Sequence, residues 1–334
     1  MHDSRRFLVR RRMLAATGLA VAGAAAFPRA VWAQADAWPN KPLRVIVNFP
    51  PGSSPDVLAR AISLPLQQAL GQPVVVENRS GASGMIGAEV VAKAPPDGHT
   101  LLMTAGSTIT TNPFISPKIP YDTAKDLVAV AAAARIVLFL VARPGLPVKD
   151  VREFLAYLKA NPGKLSYGSA GNGTGLHLAG EMLKSQAGVF AVHVPYRGAA
   201  PALQDLLAGQ IDFYFDPGIA LGHVRAGNLR MLAVAASRRS AVFPDAPTLD
   251  EAGLKGFDAG TTHGFYAPAG TLPEIVNRLN LEINRTLTLS NVRSQIMAIG
   301  AEPTPLTLAQ FSAQMQDDSK RYAAIIKERK IQAD

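Results

Sequence analysis

The chain has 334 residues, 48% of them hydrophobic, which is ample for more than one buried core and too long for a single small module. It contains no cysteine, which excludes a disulfide framework, thiol catalysis and cysteine-ligated metal. Residues 1–35 hold six of the arginines and one acidic residue, so the remainder carries a formal +4 against +9 for the whole chain; a surplus this small gives no reason to invoke nucleic acid and suits an anionic ligand.

Arg5, Arg6, Arg10, Arg11 and Arg12 precede an apolar Ala/Gly-rich run from Met13 to Phe27, and small-residue sites follow at Ala33 and Ala35. This order of basic, apolar and small-residue regions predicts a signal peptide over residues 1–35, cleaved near Ala33 or Ala35. The stretch Ser4 to Arg10 resembles a twin-arginine export motif, and both that route and the general secretory route stay open. Beyond residue 35 no window offers about 18 consecutive apolar positions, so the mature chain reads as soluble.

From residue 42 short apolar runs alternate with helical patterns: Leu43 to Val47, Val57 to Leu70, Val74 to Val76, Met85 to Ala94, Thr100 to Met103. This grammar predicts a mostly parallel sheet flanked by helices. The first helix is expected to start with Ser54 as N-cap and Pro55 at its first position, to end at Gly71, and to be kinked or shortened by Pro65. Asp126 to Val141 is one long small-residue and β-branched stretch. The grammar then restarts with a helix from Val148 to Ala160, a strand at Lys164 to Tyr167, a helix at Leu176 to Ala187 and a strand at Val189 to Val194. A helix at Ala200 to Ala208 and strands at Ile211 to Phe215, Leu229 to Ala236 and Gly264 to Ala267 follow, then two terminal helices. Two α/β units with a C-terminal return describe a two-lobed clamshell, divided as 36–138 and 259–334 for the first lobe and 139–258 for the second.

In such sheets ligands sit where strands give way to helix N-termini, which singles out four loops. Asn48 to Asp56 offers glycine and serine N–H groups and hydroxyls, or is an ordinary capped turn. Tyr167 to His177 combines four glycines with Ser169, Asn172 and Thr174, and its match to a dinucleotide fingerprint is weak because the next strand ends without an acidic residue. His193 to Pro201 brings Tyr196 and Arg197; the arginine reads either as a carboxylate partner or, more simply, as a solvated cation. Phe213 to Gly218 brings Phe215 and Asp216, with Phe215 equally suited to a pocket wall or a core. Gly81 to Met85 and Tyr167 to Gly171 both fail the spacing of a nucleophile elbow. His99, His177, His193, His223 and His263 lack metal-like spacing, so no metal or cofactor is expected.

The run Trp38 to Gly52, the segments Gly71 to Arg79 and Pro96 to Leu102, the loop Ser169 to His177, and the motifs His193 to Gly198 and Ala267 to Gly270 resemble the substrate-binding receptors of tripartite tricarboxylate transporters, the Bug family. The similarity runs in order from about residue 38 to the end. It implies a type II periplasmic-binding fold, α/β with two lobes, a small organic carboxylate as ligand, membrane subunits of a tripartite transporter as partners, a periplasmic, monomeric, non-enzymatic protein, and capture by backbone amides and hydroxyls without a salt bridge. The contacts it implies are Phe49, Gly52, Ser53 and Ser54 from the first loop, Ser107 after the third strand, and Ser169, Ala170, Gly171, Asn172 and Thr174 from the glycine-rich loop. Tyr196 and Asp216 complete that set. Departures fall at Gly52-Ser53-Ser54-Pro55-Asp56, at Gly175-Leu176 before the loop histidine, at Thr262-His263-Gly264, and after Asp216; His263 with Phe49 and Phe215 would admit an aromatic or extended dicarboxylate. A sensory receptor of the same fold is the alternative function, and an α/β hydrolase or dehydrogenase a weaker one.

Overall fold

The computed structural model describes residues 38–116 and 118–332. The signal peptide expected over residues 1–35 lies outside the described residues. Two sheets organise the rest. The first has the order β11-β4-β10-β3-β1-β2, built from β1 (Leu43–Val47), β2 (Val74–Asn78), β3 (Thr100–Thr104), β4 (Leu127–Ile136), β10 (Thr261–Pro268) and β11 (Glu302–Pro303). The second has the order β7-β6-β8-β5-β9, from β5 (Phe139–Ala142), β6 (Ser166–Ser169), β7 (Val192–Pro195), β8 (Phe213–Asp216) and β9 (Arg230–Val234).

β1 pairs in parallel with β2 and β3, and β6 with β7 and β8, while β10 and β5 run antiparallel to both of their main neighbours. Each lobe thus keeps a parallel core into which one reversed strand is inserted. Every residue of β3, β10, β5 and β8 is buried, as central strands covered by helices on both faces should be. The edge strands β2 and β7 are half-exposed, with Val75 and Val192 facing outward.

The stretch expected as one unit from Asp126 to Val141 divides into β4 and β5 at Val137 and Leu138, where the chain leaves the first sheet for the second. It returns between β9 and β10. The two crossings are stitched together, Ala235 N–H donating to the Leu138 carbonyl at 2.8 Å and Ala259 N–H to the Ala235 carbonyl at 3.0 Å. Ile136, Val137, Leu138 and Phe139 are all buried, so the hydrophobic core continues through the hinge.

Helix α1 (Ser54–Leu70) starts one residue earlier than its punctuation suggested. Ser53 is the N-cap and Ser54 the first helical residue. The helix also runs through Pro65 without being shortened, because Leu58, Ile62, Leu66 and Leu70 are buried along one face and their burial, about 1.5–3 kcal/mol each, outweighs one missing hydrogen bond. Met85–Ala92, Gly106–Thr110 and Asn112–Ile115 form α2, α3 and α4. Helix α5 (Val151–Ala160) begins three residues later than expected because Asp150 caps it, its carboxylate accepting from the N–H groups of Arg152 at 2.8 Å and Glu153 at 2.9 Å. Asp150→Ala should therefore lower stability by about 1 kcal/mol in urea denaturation, without changing the slope of the transition. Helix α6 (Gly175–Ala187) ends on a left-handed Gly188, with Val189 N–H returning to the Lys184 carbonyl, which delays β7 to Val192.

After α7 (Ala199–Leu207), α8 (Leu221–Arg225), α9 (Pro273–Thr288) and α10 (Ser290–Ala298), the last helix, α11 (Leu308–Arg329), touches both lobes. Phe311 packs on Tyr266 of the first sheet, and Arg329 reaches Glu181 of α6 at 3.3 Å. Between them Arg321 donates to the carbonyls of Asp258 and Gly260, and Tyr322 to those of Ala259 and Gly260. The returning crossing is held from outside by this helix.

Candidate ligand-binding site

Strands β1, β3, β6 and β7 each lead through a loop into a helix, and the first three of these loops, with Ala199 at the start of the helix after β7, border one cavity of about 40 Å³. Space of that size holds roughly three water molecules, comparable with a carboxylate group. Its lining includes Ser53 and Ser54 of the first loop, Ala105 and Ser107, Ala170 and Thr174 to Leu176, and Ala199, closed by Phe49, Ile136, Leu138, Pro217, Thr261 and His263.

The N-caps of α1, α6 and α7 are Ser53, Thr174 and Gly198, and none makes a side-chain capping bond. The first-turn N–H groups of three helices, 17, 13 and 9 residues long, are left uncapped beside this cavity, each at the positive end of a helix dipole. Among the described residues no charged side chain lines it. The Asp56 carboxylate, in the first turn of α1, is occupied by Gly52 N–H, Asn78 and Arg60; burial works to raise its pKa, and these donors outweigh it and hold the carboxyl below its ordinary value.

Hydroxyls supply the rest. The Ser53 Oγ and Thr261 Oγ1 are buried without a hydrogen-bond partner. His263 is 3% exposed, and burial pushes its imidazole down to about 3, so it is neutral. Gly106 N–H donates to its Nδ1 at 3.4 Å and its Nε2 lies 3.1 Å from Ser54 Oγ. A neutral imidazole that accepts at Nδ1 carries its hydrogen at Nε2. His263 therefore donates to Ser54, and the Ser54 hydroxyl hydrogen stays available to the cavity. Thr174 Oγ1 donates to the Gly171 carbonyl at 2.7 Å, tying the glycine-rich loop to the start of α6.

A larger cavity of about 600 Å³ adjoins the first, sharing Phe49 and Ala170 with it. Its walls come from both lobes: Asn48 to Pro50 and Ser80 to Met85 on one side, Ala170 to Asn172 and Pro195 to Gly198 on the other. Ser83 Oγ donates across the cleft to the Asn172 carbonyl at 2.9 Å. Tyr196 lines it with its hydroxyl given to Asp205 at 2.6 Å, and burial with that neighbour pushes its phenol up to about 12.

Of the residues expected at the site, Phe49, Ser53, Ser54, Ser107, Ala170, Gly171, Asn172, Thr174, Tyr196 and His263 border one cavity or both. Gly52, Ser169 and Asp216 border neither. Gly52 is exposed, and its N–H is taken by Asp56. Ser169 is fully buried behind its loop, 2.7 Å from His193 Nε2. His193 stacks at 3.9 Å on His177, which accepts from Gly173 N–H; burial, then His177, pushes His193 down to about 3. Asp216 accepts from Gly218 N–H at 2.8 Å and Ala220 N–H at 3.0 Å, shaping the turn that carries Pro217 to the small cavity. Burial pushes its carboxyl up to about 7 against those donors. Phe215 belongs to the core, stacked on Phe257 at 6.3 Å.

The Ser80 to Met85 loop, which by sequence only fails the spacing of a nucleophile elbow, borders the larger cavity; its signal is serine and glycine between a strand and a helix. Ile136, Leu138, Pro217 and Thr261 carried no such signal, since they meet the cavity only through the hinge geometry.

The sequence profile of the family described as "Tripartite tricarboxylate transporter family receptor" matches residues 58–331. The chain belongs to this family. The receptor is 38% identical to protein BugT of Bordetella pertussis over 320 residues, 95% of this chain and 97% of that protein. It superimposes with a TM-score of 0.85 on an R. palustris protein solved with adipate, at 33% identity, covering 88% of this chain and 99% of that one. MatC from Rhodopseudomonas palustris, solved with bound malate, matches with a TM-score of 0.79 at 35% identity, over 86% and 99% of the two chains.

Proposed function

We propose that the receptor is exported to the periplasm, captures a small organic carboxylate with its head group in the small cavity, and delivers it to the membrane subunits of a tripartite transporter. One observation carries this reading: three uncapped helix N-termini and a buried, unpartnered serine hydroxyl meet at a cavity that, among the described residues, no charged side chain lines. Such a lining suits an anion of carboxylate size and repels a cation. Relatives solved with adipate and malate are in keeping with it. Both walls come from one chain, so a monomer suffices, and the function is binding and release.

The energetics are sufficient. Hydrogen bonds to a charged group contribute about 1.5–3 kcal/mol each, and micromolar affinity requires about 8 kcal/mol net of the costs of association. Four or five bonds and the wall of Phe49, Leu138 and Leu176 reach that range. Titration with a panel of aliphatic and aromatic carboxylates, followed by thermal shift, should find at least one that stabilises by about 2.7 kcal/mol at a hundredfold excess over its Kd. A panel without a single stabilising member would overturn the reading.

Two substitutions sharpen it. Ser54→Ala should weaken the best ligand about tenfold, removing the hydroxyl that His263 orients. Thr174→Val releases the Gly171 carbonyl and should also weaken binding; an affinity within about twofold of wild type would place Thr174 outside the site.

A further inference from the structure

His177 and His193 line neither cavity, yet both stand directly behind the glycine-rich loop that does. Gly173 N–H donates to His177 Nδ1 at 3.0 Å, in a buried contact. That nitrogen is therefore unprotonated, and a neutral ring accepting at Nδ1 carries its hydrogen at Nε2. Nε2 faces Glu181 Oε1 at 3.8 Å, one turn further along α6. Glu181 is buried and ionised: burial works to raise its pKa, and Lys184 at 2.6 Å and the Tyr167 hydroxyl at 2.8 Å outweigh it. Arg329 of α11 adds a third donor at 3.3 Å. A buried negative charge beyond Nε2 favours the hydrogen there and leaves Nδ1 as an acceptor. His193, stacked on His177 at 3.9 Å and 4°, fixes the plane of the ring.

Gly173 is the residue at which such a hold matters. Its φ is +74°, and a Cβ there would lie 1.8 Å from Ile115 Cδ1 of α4, so the loop turns sharply against the first lobe at this point. Before it, Ala170 to Asn172 line the larger cavity; after it, Thr174 to Leu176 line the small one. We propose that His177 is a positioning residue for ligand capture: Glu181 fixes its tautomer, and its Nδ1 holds Gly173 so that both halves of the loop face the ligand. This deepens the carboxylate reading, since the loop it places belongs to that site.

The test reads the loop and the ligand separately. Nitrogen NMR spectra should show His177 of the wild type in the Nε2–H form, and the Gly173 amide should be protected from hydrogen exchange. His177→Asn keeps an acceptor at the position of Nδ1, whereas His177→Phe keeps only a ring. His177→Asn should retain the protection and bind the tightest acid among succinate, adipate, benzoate and terephthalate within about twofold of wild type; His177→Phe should lose the protection and weaken that acid about five- to tenfold. Glu181→Gln should weaken it about threefold in the wild-type background and leave it unchanged in the His177→Asn background, where no tautomer remains to be set. Ligand-free melting temperatures check the fold, and if His177→Phe does not fold, the Glu181→Gln pair decides. An Nδ1–H form in the wild type, equal losses for His177→Asn and His177→Phe, or the same loss from Glu181→Gln in both backgrounds overturns the inference. If every acid fails to bind, the carboxylate reading falls by itself; the tautomer and the Gly173 protection still decide this inference, and protection unchanged in His177→Phe overturns it.

Discussion

Gly218→Ala is expected to destabilise the receptor by about 3 kcal/mol or more and to weaken ligand binding at least tenfold. Gly218 follows β8, in the turn that Asp216 organises, and has φ +101°, a region that costs a side chain strain of its own. A Cβ there would lie 1.6 Å from the carbonyl oxygen of Ile299, in the turn between α10 and β11. The obstacle is backbone, so no rotamer change relieves it, and the two turns must separate. One belongs to the second sheet's lobe and the other to the first, and Pro217 beside Gly218 walls the small cavity. The substitution thus acts on stability and on closure together. Gly222→Ala is the control: a Cβ at Gly222, inside α8, would meet nothing within 4 Å, and alanine there should be neutral or stabilising. Melting temperatures and ligand titration of the pair decide the matter; a Gly218→Ala protein as stable as Gly222→Ala would sink the argument.

Acidification from pH 7 to 5 should reveal two opposed contributions of several kcal/mol. His263 and His193 are pushed down to about 3 from an ordinary 6.5. Between those values the unfolded chain takes up protons that the folded one refuses, so their stabilisation is complete above 6.5 and is lost as the pH falls toward 3. At about 1.4 kcal/mol per pH unit and proton, each loses about 2 kcal/mol by pH 5. Asp216 acts the other way. Its folded value near 7 lies above the ordinary 3.8, so the folded chain holds a proton that the unfolded one releases, and stability falls as the pH rises from 3.8 to 7. On acidification Asp216 returns about 2–3 kcal/mol and masks much of the histidine loss. His263→Gln should therefore flatten the acid side of the melting curve, and Asp216→Asn should steepen it between pH 7 and 5. Parallel pH profiles for both variants and wild type would refute the assignment.

Much of the architecture was legible because it rests on local rules. The alternation of apolar strands with punctuated helices needs only period and caps, and Gly71 and Gly188 each end a helix in the left-handed conformation. The reversed insertion of β10 between β3 and β4 was not, since direction within a sheet is a matter of which distant strand is met. The loops of the candidate site were legible for the same reason as the strands that precede them. Which residues of a loop face the cavity was not. Ser169 and Asp216 carry the right chemistry but turn inward to bind their own loops, whereas His263, on a fully buried strand, faces the small cavity. Arg197 reads as a solvated cation, and it is exposed.

Among the described residues no fixed charge lines the small cavity, and that decides how far its attraction extends. Helix ends and hydroxyls act over about the length of one turn, so an anion in bulk solution feels little pull from them. The small cavity itself therefore adds little to the long-range attraction of an anion and acts once the ligand is inside the cleft. Added salt, which screens distant charges over about 10 Å and less, should leave the grip on the head group largely as it is. A receptor of this design would keep working when the ionic strength outside the cell changes.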